Sequence, residues 1–403
     1  MKEILSRWYA KDSVKKILSS LISILIGLCV GALLVLITGI FKSTISGKVI
    51  WEGTRIVFLA ILSTGRDANG ALSWGLNASN LGNMLFRATP LIMTGLSVGV
   101  AYKTGLFNIG APGQYLMGTM TSLAIALSIP SEVIPAWLIW IIAVLGAALA
   151  GALWGAIPGI VKAFFNINEV IACIMTNWIA ANVVTWFFDG SGFCNVQEYG
   201  KTGYIYPTRY NNVATVKLGL DKLFAGSQVN GGIIFAILIA IGMYILINKT
   251  TLGYQLKACG SNRNAAKYAG IRDRRNIILS MAISGALAGV GAALYWLSGN
   301  TEFVWSTYQA LPAVGFNGIP VALLALNNPI GVIFTGIFMA MLNIVGQQLT
   351  NLTAYNEYIS DVIIAIIVYM AAFSLVIRVW VEGKSKKKAI TEEIKEVTKK
   401  EEE

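Results

Sequence analysis

The chain has 403 residues, of which 56% are hydrophobic and 13% charged, with a mean hydropathy of +0.66. Soluble domains carry about twice that charged fraction, so the composition excludes a string of soluble domains and describes one integral membrane unit. Histidine is absent from the sequence, which excludes Ser-His-Asp triads, histidine-held zinc or haem, and a histidine pH switch.

The four cysteines, Cys29, Cys173, Cys194 and Cys259, form no C-x-x-C pair, and a small apolar role fits them better than metal or redox chemistry. The net charge of +11 does not mark a nucleic-acid surface. Residues 384 to 403 hold seven Lys and six Glu and nearly neutralise themselves. The surplus sits at the N-terminus and in one internal loop.

Residues 1 to 16 carry Lys2, Arg7, Lys11, Lys15 and Lys16 and lead into an uncharged run from 17 to 41. That run is longer than a signal-peptide core and reads as a retained first helix. A spanning helix needs about 20 apolar residues. A shorter span, 84 to 102, is interrupted by Arg87, and segments 104 to 131, 133 to 161, 170 to 188, 223 to 248 and 276 to 301 meet that requirement in turn. The uncharged stretch from Glu302 to Glu357 is broken at Asn327-Asn328-Pro329 and has room for two spans. A last span covers 360 to 380 and contains Asp361 and Arg378. The expected fold is an all-α polytopic membrane protein with about ten transmembrane helices.

Domain organisation follows from that count. A cytoplasmic basic N-terminus (1–16) precedes a transmembrane domain (17–380), and a charged cytoplasmic tail (381–403) follows it. The 249–276 loop carries Lys249, Lys257, Arg263, Lys267, Arg272, Arg274 and Arg275, so the excess of basic residues places it inside. The 189–229 loop is aromatic and almost charge-balanced, as expected outside. Both termini then face the cytoplasm.

A weak internal repeat accompanies this topology. Gly105-Leu106-Phe107-Asn108-Ile109-Gly110 matches Gly315-Phe316-Asn317-Gly318-Ile319, and Glu169-Val170-Ile171 matches Asp361-Val362-Ile363. The paired motifs enter the membrane from opposite faces, the pattern of an inverted repeat with a path at its interface.

Asn108-Ile109-Gly110-Ala111-Pro112-Gly113-Gln114 combines three helix-disfavouring residues with two amides. It reads either as a helix broken beside a path, because non-helical backbone at membrane depth needs protein or water against it, or as an interfacial turn with Pro112 opening a helix. Glu169 follows Asn166-Ile167-Asn168 and precedes Asn177 and Trp178; it reads either as a membrane carboxylate with a function or as a charge favouring a helix N-terminus. In the basic loop, Ser261 or Asn262 can cap a short helix favoured by Ala265, Ala266 and Ala269 that ends at Gly270. Such a helix suits docking into a groove of a soluble partner. Gly27/Gly31, Gly151/Gly155/Gly159 and Gly285/Gly289 read as close-packing faces. Gly200-Lys201-Thr202 and Gly383-Lys384-Ser385 lack the first glycine of a P-loop, and Gly289-Val290-Gly291 lacks the last glycine of a dinucleotide fingerprint.

In these motifs the sequence resembles the permease family of bacterial ABC importers for branched-chain amino acids, ribose and simple sugars, closest to its nucleoside and simple-sugar branch. The matching segments are 105 to 114, 168 to 180, 253 to 271 and 315 to 329, in order, within a resemblance over roughly 70 to 380. Pro112 stands where the family often has Glu, Cys173 and Thr176 replace Thr and Leu, and Ala325 replaces Gly.

The resemblance implies a type II importer fold in the bacterial cytoplasmic membrane and no cofactor on this chain. It implies a second, usually different permease, a cytoplasmic ABC ATPase and an extracytoplasmic substrate-binding lipoprotein as partners. It assigns ATPase coupling to Gly260, Asn262, Ala265, Ala266, Tyr268 and Gly270, and a substrate path to Asn108, Gln114, Asn177, Phe316 and Asn317. Gly110, Pro112, Gly113 and Glu169 would shape that path. Nucleosides suit such a site because aromatics stack on the base while amides read its polar edge. The alternatives are a simple-sugar permease and an ion-coupled secondary transporter. No catalytic or metal-binding group is expected.

Overall fold

The computed structural model describes residues 12–41, 46–189, 191–193, 213–299, 301–304, 306, 309–353, 355, 358, 361–363, 365, 366 and 369. The basic segment before residue 12, part of the expected outer loop, most of the last expected span and the whole charged tail lie outside them. Contacts divide the chain into two compact units, Met1–Ser73 with Val345–Glu403, and Trp74–Ile344.

In the first unit, α1 (Asp12–Phe41) answers to the expected first span. Gly31 lies against Ile363, and the Tyr355 hydroxyl donates to the Val35 carbonyl at 2.7 Å. The small face of α1 therefore receives bulky side chains, not a second glycine. The next helix, α2 (Gly47–Leu59), escapes a search for uncharged runs because Lys48, Glu52 and Arg55 interrupt it. Glu52 is buried and accepts from Arg66 Nη2 at 2.8 Å. The same guanidinium donates to the carbonyls of Gly70 and Leu352. Arg66 closes β1 (Ser63–Arg66), which pairs with β2 (Leu72–Trp74). This hairpin corrects the all-α expectation: Asp67 accepts the N–H groups of Asn69 and Ala71 at 3.0 and 2.8 Å and fixes the turn.

The second unit holds α3 (Ala78–Lys103), α4 (Ala111–Ser128), α5 (Ala136–Phe165), α6 (Glu169–Phe188), α7 (Leu220–Leu223) and α8 (Gly232–Lys249). It continues through α9 (Thr251–Ser261), α10 (Arg263–Tyr268), α11 (Asp273–Trp296), α12 (Ala313–Leu324) and most of α13 (Pro329–Leu352). Polar residues set several starts: Asn77 accepts from Asn80 N, Asn168 from Val170 N and Thr250 from Gly253 N. Among the described residues six helices are long and apolar enough to cross a membrane, namely α3, α5, α6, α8, α11 and α13.

Two expected spans take another form. The segment from 104 becomes helical only at Ala111. The stretch before Asn327 yields α12 with 12 residues, a length of about 18 Å against a hydrocarbon core of about 30 Å. Pro312 precedes α12, and Leu326 and Asn327 adopt positive φ after it, so backbone geometry closes the helix at both ends although no charge interrupts it.

Helix α5 shows how residues partition. Ile139, Ala143, Ala147, Gly151, Gly155, Gly159 and Ala163 form its inner stripe, while Trp137, Leu145, Leu149, Leu153, Ile157 and Phe164 face outward. The inner stripe meets α11 backbone to backbone. A Cβ on Gly151 would strike the Gly285 carbonyl, one on Gly285 the Gly151 carbonyl, and one on Gly289 the Ala147 carbonyl. The glycine spacing thus serves packing, as the sequence indicates. Helix α3 is almost wholly enclosed by α8, α11 and α12.

Candidate functional site

Helix α3 ends at Thr104 and Gly105 (φ +73°), and α4 starts at Ala111, so residues 105–110 form a non-helical link between them in which Leu106, Asn108 and Gly110 are buried. The amides of the motif fill that gap. Asn108 is fully buried; its Nδ2 donates to Ser97 Oγ at 3.1 Å and to Gln114 Oε1 at 2.8 Å. Its Oδ1 accepts from Gln114 Nε2 at 3.0 Å and from the Gly110 N–H at 3.1 Å. The two side chains therefore form a reciprocal amide pair across the break.

Asn177 completes the arrangement from α6. Gly110, at the N-cap of α4, has no side chain to cap with, and Pro112 has no N–H. The Gly113 N–H is the orphan that such a start leaves, and it donates to Asn177 Oδ1 at 2.9 Å. Asn177 Nδ2 returns a hydrogen bond to the Ile109 carbonyl at 2.9 Å. Gly113 must be glycine on packing grounds, since a Cβ would sit 2.9 Å from Asn177 Cα. The structure thus brings Asn108, Gly110, Pro112, Gly113, Gln114 and Asn177 together, with every amide oxygen and nitrogen engaged inside the protein.

The repeat partner lies alongside: a Cβ on Gly315 would fall 2.6 Å from Pro112 N, and the Val314 carbonyl accepts from Thr94 Oγ1 at 3.1 Å. Phe316 and Asn317 follow at once on α12 and are half-buried. Glu169 stands apart at the start of α6. Asn168 supplies the cap, and Glu169 Oε2 pairs with Lys162 Nζ at 3.0 Å.

In the basic loop the capping residue is Asn262, whose Oδ1 accepts from the Ala265 N–H at 3.0 Å. Ala266 is buried, Gly270 has φ +79°, and Tyr268 is 94% exposed. Arg263 Nε pairs with Asp273 Oδ2 at 2.8 Å and ties α10 to α11. Burial pushes the Cys259 thiol above its ordinary range despite the Asn276 Nδ2 donor 3.7 Å away, which keeps it a packing residue. An open cavity of about 720 Å³ lies beside α9, lined in part by Tyr254, Gln255 and Ile271.

Gly260 joins this loop to the broken helix. A Cβ there would meet Gly105 N at 2.9 Å and collide with the Lys103 carbonyl. Thr104 Oγ1 also donates to Ser280 Oγ of α11 at 2.7 Å. The loop therefore bears directly on the backbone that leads into Asn108.

The sequence reading names Trp178 beside Asn177 but misses the face it shares with Asn182 and Trp186. Trp178, Asn182 and Trp186 recur on the outward face of α6 with Ile171 and Met175, and Trp186 is 77% exposed. Asn182 donates to the Trp178 carbonyl at 2.8 Å. Adjacent Asn177 and Trp178 fall about 100° apart on the helix, so the amide points inward and the indole outward. Reading α6 by helical period would have separated them.

The comparisons with known proteins agree on the class. The family described as "Branched-chain amino acid transport system / permease component" matches residues 80–372. The chain is 36% identical over 373 residues to the guanosine ABC transporter permease protein NupP of Bacillus subtilis (strain 168), covering 92% of this chain and 97% of that one. It is 35% identical over 361 residues to the nucleoside ABC transporter permease protein NupB of Lactococcus lactis subsp. cremoris (strain MG1363), covering 89% and 92%. Identity is 27% over 310 residues to the glucose ABC transporter permease protein TsgB13 of Haloferax volcanii, covering 75% and 79%. With six apolar membrane-length helices among its described residues and this match, the chain belongs to the branched-chain amino acid transport system permease family, as a multi-pass ABC transporter permease subunit.

Proposed function

We propose that this permease admits nucleosides and forms one half of a translocation path whose other half is a second permease. The observation that carries the substrate is near full-length similarity, at 36% and 35% identity, to permeases named for guanosine and nucleosides, against 27% to one named for glucose. The α6 face suits such a permeant. Trp178 and Trp186 offer stacking surfaces for a neutral ring and Asn182 an amide for its edge. Between Trp137 and Phe164 the outward face of α5 is mainly aliphatic and suits lipid instead.

In this reading the fully bonded Asn108, Gln114 and Asn177 shape the wall of the path from within the protein, and Gly110, Pro112 and Gly113 give the break its close fit. Half-buried Phe316 and Asn317 approach the same region from α12. About ten spans arranged as an inverted repeat, with both termini cytoplasmic, accommodate these helices and the basic loop. The Gly315 contact with Pro112 supports pairing of the two motif segments.

The 249–276 loop docks on a cytoplasmic ATPase, and an extracytoplasmic lipoprotein delivers the permeant. An ion-coupled mechanism draws on membrane carboxylates, and Glu169 is committed to Lys162.

Vesicles carrying the full complex test the substrate. ATP-dependent uptake of labelled guanosine should be competed by nucleosides and left intact by ribose, galactose and branched-chain amino acids. Trp178→Ala should raise KM several-fold with ATP hydrolysis unchanged. Competition by a free sugar and none by nucleosides would reassign the permeant.

Tyr268→Ala tests the docking loop. With 94% of the residue exposed, the substitution leaves the fold intact, and the loss of a buried aromatic anchor at an interface is about 2 kcal/mol or more. Co-purification of the ATPase should fall at least tenfold at unchanged permease yield; full retention of the ATPase would remove Tyr268 from the interface.

A further inference from the structure

We infer that the start of α11 and the end of α5 form a binding site for one anionic phospholipid of the cytoplasmic leaflet. Arg272, Arg274 and Arg275 border a cavity of about 410 Å³ whose remaining wall is Phe164, Ile278 and Leu279. All three arginines are exposed, and among the described residues none pairs with a carboxylate; the adjacent Asp273 is held by Arg263. Three like charges within four residues repel one another, and an anion in the cavity removes that cost.

The apolar wall decides which anion. Phe164 closes the outward stripe of α5 that runs through Leu145, Leu149, Leu153, Ile157 and Ile160. The cavity, itself lined mainly by apolar surface, thus lies at the end of an exposed aliphatic stripe, with the three arginines at its border. An acyl chain lies along the stripe while a phosphate meets the guanidinium groups, which bind phosphate oxygens in bidentate fashion. Arg274 already stacks over the Phe164 ring at 5.4 Å, which holds its charge at the boundary between the two environments. The basic loop on this side places the site at the cytoplasmic leaflet, where anionic lipids concentrate. A docking site for a soluble protein would not require the continuous aliphatic stripe.

Photoactivatable phosphatidylglycerol in nanodiscs containing the full transporter complex provides the test, with a phosphatidylcholine analogue of the same chains beside it. Phosphatidylglycerol should label peptides from 157–164 and 274–279. Labelling should weaken about fivefold per arginine removed, so that Arg272→Gln/Arg275→Gln loses about 25-fold while eluting as the parent complex does. Lys257→Gln, in the same loop but away from the cavity, should leave labelling unchanged. Equal labelling by phosphatidylcholine, or labelling indifferent to the arginines, would reduce the site to ordinary boundary lipid and overturn the inference. Displacement by millimolar inorganic phosphate would assign a free anion, and crosslinking of the arginines to the ATPase would assign a protein partner; either result also overturns it. Labelling needs no transport, so its outcome is independent of the permeant.

Discussion

Gly285→Leu is expected to abolish recovery of folded permease. The Cβ it introduces would overlap the Gly151 carbonyl and lie 3.2 Å from Gly155 Cα, and neither is the movable end of a side chain. Overpacking costs about 1 to 3 kcal/mol where neighbours can shift; here α5 and α11 must separate along their whole shared face. A loss above about 3 kcal/mol removes much of the roughly 5 to 15 kcal/mol that holds a typical domain. Gly242→Leu supplies the comparison, because nothing lies within 4 Å of its Cβ position on α8. The monodisperse fraction in detergent gel filtration should collapse for Gly285→Leu and stay near wild type for Gly242→Leu. Equal recovery of both would mean that the α5–α11 contact does not hold the unit together.

That contact shows which features a sequence exposes. Gly151, Gly155, Gly285 and Gly289 announce close approach by their spacing, but spacing does not name the partner, which is set by tertiary packing between helices more than a hundred residues apart. The break before α4 was legible because Gly110, Pro112 and Gly113 disfavour helix together. Its closure was not, since Asn177 reaches the Gly113 N–H from 64 residues away. Hydropathy places α3, α5, α6, α8, α11 and α13 well, because a long apolar helix leaves a run with little or no charge, Arg87 being the one interruption within α3. It fails at α2, where Glu52 is buried only because Arg66 neutralises it, and at α12, where an uncharged run of ample length is cut by backbone turns at Pro312 and Asn327. The basic loop was readable in detail because capping is local: Asn262, Ala265 and Gly270 specify their own helix.

Asn108→Leu separates a clamp from a permeant contact. In the clamp, the substitution leaves Gln114 Oε1, Gln114 Nε2 and the Gly110 N–H without their partner in a fully buried site. Each orphaned group costs about 1 to 3 kcal/mol in water-soluble proteins, with smaller penalties near 0.6 kcal/mol common inside membranes. A total of about 3 kcal/mol is expected, read as a lowered thermal midpoint in detergent. Gln114→Leu should destabilise for the same reason. The double variant Asn108→Leu/Gln114→Leu removes both members of the reciprocal pair and should lose less than the sum of the single losses, by about 1 kcal/mol or more. Additive losses would deny the pairing. If Asn108 instead meets the permeant, KM for nucleoside uptake rises while the thermal midpoint stays put, a result the buried reciprocal pair does not permit. The expected pattern is the opposite one: lower stability, normal KM in the protein that survives, and coupling confined to the amide partners that close the gap between α3 and α4.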